Sequence, residues 1–485
     1  MNSQAIKHIV IVGGGTSGWS AATGLARGLQ MQKPHITVIE DNPLPEPAIT
    51  IASPHIFDFH QNMGIHDQHL LQQKQAMLSC ARYYRGWQTA PQDVFIGNNT
   101  HLPVFKGIEL HHLIKRCEQT NYQDYSLAAM AARQHKLAVS NQQRGTLLGS
   151  FNSGMHLVTQ AYLRFMCGAA QHLGVRSTTS AIVSVKRDPS SGFITQLTLQ
   201  SGEVLAVDLI IDNSGVDSRI MQGEFQIPYQ LAPSPFDNVI ELQQTTTLPS
   251  CNYSTLTATQ AGWLEQSNLQ GKQQSLLWCN SDEITDEQLY QWLNINADDE
   301  LALVRHPISP GKRQQLFYKN CVAIGDTAGY AGSPSINNVV MTQRAIGRLL
   351  DLFPTRQCFE SNAGEYNRLM DNDYAEALDY LDLHHYLISK NTRLADCNWA
   401  KTSAELSAKL QQKIDLFNHY GRFEDELNQI ITRQNWINLL LLCCQDSNRY
   451  EPLLDIYTTQ EIQQFLTTVR QDVEQHIYQL PTLQE

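Results

Sequence analysis

The stretch IVIVGGGTSGW, residues 9–19, decides the fold, because an apolar strand runs into a glycine-rich turn that opens a helix. Gly13 permits the tight turn, Gly15 lets the backbone approach a pyrophosphate, and Gly18 allows the helix to pack closely on the strand. The backbone amides from Gly15 through Thr16 and Ser17 to Gly18 face the anion, where the helix dipole adds positive potential. The stretch therefore predicts a dinucleotide-binding site.

The sequence around this turn completes the motif. A helix is predicted after the turn at residues 19–29, and a second strand at residues 35–39 ends at Glu40. The Glu40 carboxylate is placed to accept a ribose hydroxyl. A glycine turn without a ligand is the alternative, and the complete strand, turn, helix and strand context disfavours it.

Two later segments are predicted to return to the same sheet. Residues 208–218, DLIIDNSGVDS, form an apolar strand that ends in a small-residue turn. Residues 321–331, CVAIGDTAGYA, form another that ends at Gly325 and Asp326, and Asp326 is placed to bind a ribityl chain. Separated returns are typical of flavoproteins, whereas simple NAD dehydrogenases usually have one continuous nucleotide domain. Since no second GxGxxG is present for NAD(P)H, FAD is the predicted cofactor.

These patterns predict an α/β fold with a Rossmann-like, doubly wound FAD-binding sheet, an antiparallel β substrate layer and a C-terminal helical cap. The FAD-binding domain within residues 1–355 combines segments at about 1–50, 145–220 and 315–355 with substrate-layer segments between them. Alternating apolar and polar residues at 182–199 and 238–278 predict the strands of that layer. Ile182 is a candidate cofactor contact. Helical apolar spacing assigns residues 356–485 to the C-terminal helical region.

Composition limits the partners and the compartment. With 42% hydrophobic residues, the 485-residue chain can bury a substantial core. Its formal net charge of −12 offers no basic stripe for nucleic acid. The longest apolar run, residues 437–444, is too short to cross a membrane, and no signal peptide precedes the first strand. We predict a cytoplasmic protein with no nucleic-acid or membrane partner.

Several motifs resemble the flavin-dependent tryptophan halogenase family from the first strand to the last helix. They are GGGTSGW at 13–19, MGIHDQHLLQ at 63–72, IIDNSG at 210–215, NCVAIGDTAGY at 320–330, LDLHHYLISKNTRLADCNW at 381–399 and YEPLLD at 450–455. His384 and His385 match scaffold positions of the family and are interpreted as structural.

The resemblance implies FAD on the nucleotide domain and a tunnel leading to an aromatic substrate beneath the helical cap. Members of this family receive reduced flavin from a separate flavin reductase. A flavin hydroperoxide oxidises halide to hypohalous acid, and a lysine at the end of the tunnel, assisted by a glutamate, presents the halogen to the substrate. Family likeness alone favours a homodimer.

The chain departs from the family at the lysine. Alignment on Gly64, Ile65 and Trp87 without a gap places Ser79 where the lysine belongs. A serine hydroxyl can neither form a chloramine nor act as an ammonium donor. The nearest lysine, Lys74, is expected to point elsewhere.

Three further hallmarks of the family are altered. WxWxIP reads WLEQSN at 263–268, which keeps Trp263 and puts Glu265 in place of the second tryptophan. PLESTG reads SPSINN at 333–338, with Ser335 at the glutamate position and Asn338 at a glycine position. The flavin strap GVGEAT reads AITIAS at 48–53. Four losses at one reaction centre predict that the fold persists and halogenation does not.

Ser79, His111, Trp263 and Glu265 are the candidate substrate-pocket residues, and no catalytic residue is assigned. Ser79 is equally explained as a helix serine without a role, and Trp263 as core packing. Adjacent histidines such as His111 and His112 are more often surface or packing residues, and without a third ligand at a sensible spacing no metal site is expected. A buried Glu265 requires a cationic partner, a raised pKa or a wetted cavity.

Three functions fit these observations. The first is an FAD-dependent, monooxygenase-like oxidoreductase that acts on a small aromatic molecule or a peptide side chain. The second is a non-catalytic ligand- or partner-binding derivative of the fold. The third, least favoured, is an active tryptophan halogenase. The complete nucleotide motif favours the first, and the altered strap and loop favour the second.

Overall fold

The structure is a computed structural model that describes residues 4–41, 45–89, 93–117, 122–141, 143, 145–293, 303–332, 336–401, 406–425, 429–444 and 449–483. The chain forms two compact units, each assembled from three segments. The first unit comprises Met1–Gln75, Leu157–Pro233 and Ile308–Leu378. The second comprises Ala76–His156, Ser234–Pro307 and Asp379–Glu485.

The strands of the described residues are, in chain order, β1 (His8–Val12), β2 (His35–Ile39), β3 (Ile49–Ala52), β4 (Ala76–Ser79), β5 (Ala81–Arg85), β6 (Val94–Gly97), β7 (Val104–Phe105), β8 (Ile108–Glu109), β9 (Gly154–Val158), β10 (Arg176–Thr178), β11 (Ile182–Arg187), β12 (Ile194–Leu199), β13 (Val204–Ala206), β14 (Leu209–Asp212), β15 (Tyr229–Leu231), β16 (Asn238–Thr245), β17 (Tyr253–Ala258), β18 (Gly262–Leu269), β19 (Lys272–Cys279), β20 (Leu303–Pro307), β21 (Gly311–Arg313), β22 (Phe317–Tyr318), β23 (Cys321–Ala323) and β24 (Gly329–Tyr330).

The α-helices are α1 (Gly15–Gly28), α2 (His55–Asn62), α3 (Gln68–Gln72), α4 (Leu110–Arg116), α5 (Leu127–Arg133), α6 (Thr159–His172), α7 (Asp286–Leu293), α8 (Gly325–Ala328), α9 (Asn338–Asp351), α10 (Glu360–Ser389), α11 (Asn398–Lys401), α12 (Ala408–Tyr420), α13 (Arg433–Cys443) and α14 (Thr459–Gln479). Short 3₁₀ helices lie at Tyr122–Tyr125, Leu147–Gly149, Ser281–Glu283 and Pro452–Ile456, and a π-helical turn lies at Arg219–Glu224.

A six-stranded sheet forms the centre of the first unit, in the order β10-β2-β1-β14-β23-β22. All its strands are parallel except β22, which pairs antiparallel with β23. The central strands are continuous apolar runs, as expected for parallel strands buried on both faces. Helix α1 packs against α6 and α9. The predicted βαβ start and the two later returns, β14 and β23, are thus confirmed.

Two smaller antiparallel sheets also lie in the first unit. Strands β11, β12 and β13 form an antiparallel sheet, and β15, β21 and β24 form another. The alternating stretch at residues 182–199 therefore folds as strands, as predicted. Its two strands, β11 and β12, pair with each other as a hairpin, with Ile182 opposite Leu199.

The second unit contains a seven-stranded sheet in the order β20-β16-β19-β18-β17-β5-β6. Its pairs are antiparallel except β17 with β5. One face packs an apolar core against α7, formed by Ile240, Leu242, Leu264, Leu277, Cys279, Leu289 and Leu293. Residues 238–278 form strands as predicted, but the two alternating stretches belong to separate sheets because each pairs with its own neighbours.

The opposite face of the seven-stranded sheet is also buried, and it mixes polar side chains with apolar ones such as Trp263 and Trp278. Because side chains alternate along a strand, the residues between the apolar core positions point to this other face. They include Glu241, Ser254, Glu265, Ser267 and Gln274, all buried. The Ser254 hydroxyl donates to Glu265 over 3.1 Å, and Glu241 lies 2.9 Å from His306 Nε2, so both buried carboxylates of this face have partners.

The C-terminal residues are helical, as the spacing predicts. Helix α10 begins in the first unit and ends in the second, and α11 to α14 lie in the second. Helix α14 starts with a capping box between Thr458 and Glu461, which satisfies two orphan amides at its amino end. Among the described residues, no helix combines the length and apolar character needed to cross a bilayer.

Candidate functional site

The glycine loop lies between β1 and α1 in the first unit. Gly13 has φ of 96° and Gly15 has φ of 69°, values that side-chain-bearing residues rarely adopt. A Cβ atom placed on Gly18 would lie 2.1 Å from the carbonyl oxygen of Gly13. Only glycine permits this approach of helix to strand, which is the geometry of a pyrophosphate-binding turn.

Asn213 connects the ends of three strands. Its Nδ2 donates to the carbonyl of Gly14 over 2.8 Å, and its backbone amide donates to the carbonyl of Val12 over 2.7 Å. A Cβ atom on Gly325 would lie 2.1 Å from Asn213 Oδ1, so Gly325 needs to be glycine. We call these residues, Gly13 to Gly18 with Asn213 and Gly325, the nucleotide cradle. It lies at the carboxyl ends of parallel strands, where open α/β sheets bind ligands.

Asp212 holds the turn behind the nucleotide cradle. This buried carboxylate accepts from the Ser214 amide at 3.1 Å, the Ser214 hydroxyl at 2.6 Å and the Met221 amide at 3.1 Å. The Ser218 hydroxyl also donates to it. With its acceptor positions occupied in this way, Asp212 positions Asn213 and is not itself a candidate ligand group.

The two predicted acidic contacts lie beside the nucleotide cradle. Glu40 follows β2 and accepts from Trp19 Nε1 over 3.3 Å, with its Oε2 3.2 Å from where a Cβ of Gly14 would be. Asp326 is in the first turn of α8 and accepts from Asn338 Nδ2. Burial, and then the charge of Glu46, raises the pKa of Asp326 to about 6.

Glu46 is a site residue that the sequence reasoning missed. Its Oε1 accepts from the backbone amide of Thr16 over 2.8 Å, and its Oε2 accepts from the Thr16 hydroxyl over 2.9 Å. Oε1 lies 3.2 Å from the position of a Cβ on Gly15. Burial raises the pKa of Glu46, while both bonds from Thr16 lower it. The carboxylate therefore sits at the amino end of α1, which this motif offers to an anion.

The altered strap and loop residues make structural contacts in the first unit. Strap residues form β3, where the Thr50 hydroxyl lies 2.9 Å from the Thr159 hydroxyl. Asn337 caps α9 and donates from Nδ2 to the Ile51 carbonyl over 2.6 Å. Side-chain hydrogen bonds thus help to fix the strap. Ser335, the predicted replacement for the glutamate, lies outside the described residues.

Two further predicted cofactor contacts have other neighbours. The Ser17 hydroxyl accepts from the Thr342 hydroxyl over 3.0 Å, which links α1 to α9. Ile182 pairs with Leu199 in the small antiparallel sheet, separate from the six-stranded sheet that carries the nucleotide cradle. The described contacts therefore do not join Ile182 to the glycine loop.

Ser79 is the last residue of β4 and is only 5% exposed. Its carbonyl accepts from Asn98 Nδ2 over 3.3 Å. The interpretation of Ser79 as a helix residue was wrong, because the chain is extended here. Lys74 is exposed and follows α3 with φ of 55°. The Ser79 side chain is thus a buried hydroxyl group.

Glu265 has two of the three predicted compensations for burial. Its Oε1 lies 3.7 Å from Arg82 Nε and accepts from the Ser254 hydroxyl over 3.1 Å. Burial raises its pKa, and the charge of Arg82 opposes this. Burial and the same arginine lower the pKa of His156 to about 4. Glu265 therefore belongs to a buried polar cluster with Arg82, Ser254 and His156.

Trp263 is the centre of an aromatic cluster and is completely buried. Its ring centroid lies 4.9 Å from Phe236, 5.5 Å from His385 and 5.9 Å from Trp87. Contacts at these distances and tilted angles are typical of aromatic cores. Core packing is the role that these contacts support.

His384 has partners on both ring nitrogens. Its Nδ1 donates to the Tyr380 carbonyl over 2.7 Å, and its Nε2 accepts from the Tyr84 hydroxyl over 3.0 Å. Burial lowers the pKa of His384 to about 3 and that of His385 to about 4. Both imidazoles are neutral at physiological pH, which supports a structural role.

His111 and His112 are buried packing residues with a nearby carboxylate. One ligand atom of each, with one of Glu109, lies within 4.8 Å of the others, so a third ligand is present after all. Arg433 holds Glu109 through two bonds of 3.0 and 2.9 Å. The Glu451 amide donates to His112 Nδ1 over 3.1 Å, leaving the proton of the neutral ring on Nε2. Two of the three candidate ligand groups, the Glu109 carboxylate and His112 Nδ1, are therefore already engaged by groups of the chain.

The fold and the nucleotide cradle define a dinucleotide-binding α/β protein with a second, mainly antiparallel unit. The model of the tryptophan halogenase family matches residues 8–459. The chain belongs to the tryptophan halogenase family, so the predicted family and fold class are confirmed.

Individual relatives agree with this assignment. Tryptophan 7-halogenase of Lentzea aerocolonigenes is 22% identical over 90% of this chain and 89% of its own length. A flavin-dependent halogenase from Brevundimonas sp. BAL3 superposes with a TM-score of 0.90 at 23% identity, covering 98% of this chain and 97% of that one. One from Xanthomonas campestris also gives 0.90, at 24% identity over 99% and 97% of the two chains.

Proposed function

We propose that the protein is an FAD-dependent, monooxygenase-like oxidoreductase that does not halogenate. The observation that carries this proposal is the nucleotide cradle. A Cβ atom added to Gly13, Gly18 or Gly325 would collide there with a neighbouring atom. Membership of a family of flavin-dependent enzymes supports flavin as the nucleotide. The chain keeps the turn by which such proteins hold a dinucleotide.

The residues present fit the nucleotide half of FAD. The amino end of α1 would face the pyrophosphate, Glu40 a ribose hydroxyl and Asp326 the ribityl chain. The ring half has changed more, since Thr50 and Ile51 stand in the strap where the family has glycine and glutamate. Reduced flavin, when bound, supplies the activation of oxygen.

Loss of halogenation is inferred from Ser79. A buried hydroxyl at the lysine position provides neither an amine nor a cation for the oxidised halogen. The substrate of the proposed oxidoreductase would then be an organic molecule, with no halide involved. An aromatic small molecule and a peptide-borne side chain both remain candidate substrates.

The proposed partners follow from what the chain contains. Because one GxGxxG motif is present, reduced flavin would come from a separate flavin reductase. All ten cysteines are free thiols, in keeping with a reducing, cytoplasmic setting. A homodimer remains an expectation from family likeness.

A titration with FAD, oxidised and then anaerobically reduced, tests the proposal. Micromolar binding with a shifted flavin spectrum is the expected result, followed by oxygen-dependent, halide-independent turnover of an aromatic substrate panel. Absence of binding in both redox states would remove the oxidoreductase proposal. Halogenated product from indole substrates would instead restore an active tryptophan halogenase.

A non-catalytic binding protein is the second candidate. It is favoured by the Glu46 carboxylate at the anion position of α1 and by the altered strap. Substrate turnover that depends on both reduced FAD and oxygen would exclude this candidate.

A further inference from the structure

The amino end of α1 already holds an anion from the chain itself. Both oxygens of Glu46 accept hydrogen bonds from Thr16, one from the backbone amide and one from the hydroxyl, at 2.8 and 2.9 Å. The first of these oxygens also borders Gly15. A pyrophosphate in a dinucleotide motif uses the same helix end. The carboxylate and the pyrophosphate therefore require the same amide.

The charges around this position add to the conflict. Asp326 is close enough for the charge of Glu46 to raise its pKa, and Glu40 borders Gly14 in the same loop. Within the described part of the chain, the ion pairs do not supply a cation for Glu46. A bound pyrophosphate beside a charged Glu46 would face a like charge at short range.

The local chain lets Glu46 leave by side-chain rotation. Glu46 lies between Pro45 and Pro47, whose rings fix the backbone on both sides. Its residue is partly exposed, so its carboxylate can reach water without passing through the core. The backbone segment can therefore stay in place while the carboxylate moves.

We propose that Glu46 competes with the pyrophosphate of the cofactor for the amino end of α1, so that flavin binds only when the Glu46 carboxylate leaves Thr16. This inference rests on the proposed function, because it concerns the affinity of the nucleotide site. Glu46 thereby lowers the affinity of the nucleotide cradle for the cofactor.

Calorimetric titrations with ADP, inorganic pyrophosphate and FAD test the competition on the full chain. The variants are Glu46→Gln, which removes the charge at constant shape, and Glu46→Ala, which removes the carboxylate. Asp41→Asn is the matched control, because Asp41 is exposed and this substitution removes the same negative charge. We expect ADP and FAD to bind at least about tenfold more tightly to both Glu46 variants, and within about twofold of wild type to the control.

The outcomes separate this inference from the proposed function. Equal or weaker binding by the Glu46 variants, with FAD still bound by wild type, overturns the competition and leaves the oxidoreductase proposal intact. Tighter binding by Asp41→Asn to the same extent reduces the effect to net charge and also overturns it. If neither wild type nor the Glu46 variants bind ADP or FAD, both inferences fail.

A measurement without ligand checks where Glu46 lies in solution. Carbon NMR of the Asp326 carboxyl group in Glu46→Gln should show its titration shifted downward from about pH 6, because one neighbouring charge has been removed. An unchanged Asp326 titration would place Glu46 away from the nucleotide cradle and overturn the inference independently of any binding result.

Discussion

Asn213 Nδ2 donates a hydrogen bond to the carbonyl oxygen of Gly14 over 2.8 Å, which joins positions 199 residues apart in the chain. The bond holds the turn after β14 against the glycine loop after β1. The same side chain limits the space at Gly325, after β23. The nucleotide cradle is therefore one connected structure, and a change at one strand end should be felt at the others.

Replacing Gly18 by alanine should abolish ADP binding. The new Cβ would lie 2.1 Å from the Gly13 carbonyl, so α1 has to move away from β1. Gly168→Ala is the control, because Gly168 lies inside α6 with open space around it. It should keep ADP affinity and gain about 0.5 kcal/mol in the free energy of unfolding. Isothermal titration and urea denaturation measure both effects, and an unchanged ADP affinity in Gly18→Ala would contradict the cradle.

Replacing Asp326 by asparagine should stabilise the protein more at pH 8 than at pH 4. Since the folded-state pKa is raised to about 6, stability from the neutral acid is present at low pH and lost as pH rises through 6. The asparagine variant avoids this loss, so its free energy of unfolding at pH 8 should be about 2 kcal/mol higher than that of wild type. Urea denaturation at several pH values tests it. Asp351→Asn, which removes one charge from an exposed position at the end of α9, is the control for net charge.

Replacing Arg82 by methionine should destabilise the protein by about 3 kcal/mol at pH 8, because Glu265 loses its cation while it stays buried. The effect should shrink as the pH is lowered. The pKa of Glu265 is already raised, and protonation removes the buried charge. The double variant with Glu265→Gln should recover at least half of the loss in denaturation experiments. If the stability losses of the two single substitutions simply add in the double variant, the coupling between Arg82 and Glu265 is refuted.

Replacing Ser79 by lysine should not create a halogenase. The position is 5% exposed, so an added ammonium group is desolvated and should lower the free energy of unfolding by about 2 kcal/mol. The strap and loop also remain changed. Mass spectrometry of indole substrates with reduced FAD and bromide should show no brominated product, and Ser79→Ala should unfold like wild type. Brominated product from Ser79→Lys would show that the lysine alone was missing.

Zinc should not bind at Glu109, His111 and His112. Arg433 holds the carboxylate, and the Glu451 amide holds His112 Nδ1. Addition of zinc in about tenfold excess should therefore leave the melting temperature unchanged, since only a bound ligand stabilises the folded state. Arg433→Met frees Glu109 and serves as the comparison. A zinc-dependent rise in wild type that is lost in His111→Ala would contradict this expectation.

The nucleotide half of the site could be predicted because its signal is local. Gly13, Gly15 and Gly18 lie within six residues, and the strands on both sides carry their own apolar pattern. Asp326 was predicted to be a cofactor contact for the same reason, since it lies in the turn that follows the strand β23. The conformation of such a turn is determined by residues that are close together in the sequence.

Contacts made over long distances in the chain were not predictable in the same way. Glu46 contacts Thr16 from a proline-flanked segment that lacks a motif. His111 forms a hydrogen bond with the carbonyl of Gly421, which lies 310 residues later in the chain. The two alternating stretches looked alike in sequence, yet strand pairing put them in different sheets. Strand pairing depends on which other strand lies alongside in the folded chain, and the alternation of apolar and polar residues does not identify that strand.

The order of the six-stranded sheet also governs when the protein can fold during synthesis. Ile9 pairs with Leu209, and Ile210 pairs with Cys321, so β1 and β14 wait for partners made much later. A nascent chain that ends before β23 leaves the apolar strand β14 with an open edge, which invites association with other chains. The ribosome has therefore to deliver about two thirds of the polypeptide before the nucleotide cradle can close, and chaperones that shield early strands should affect the yield of this protein.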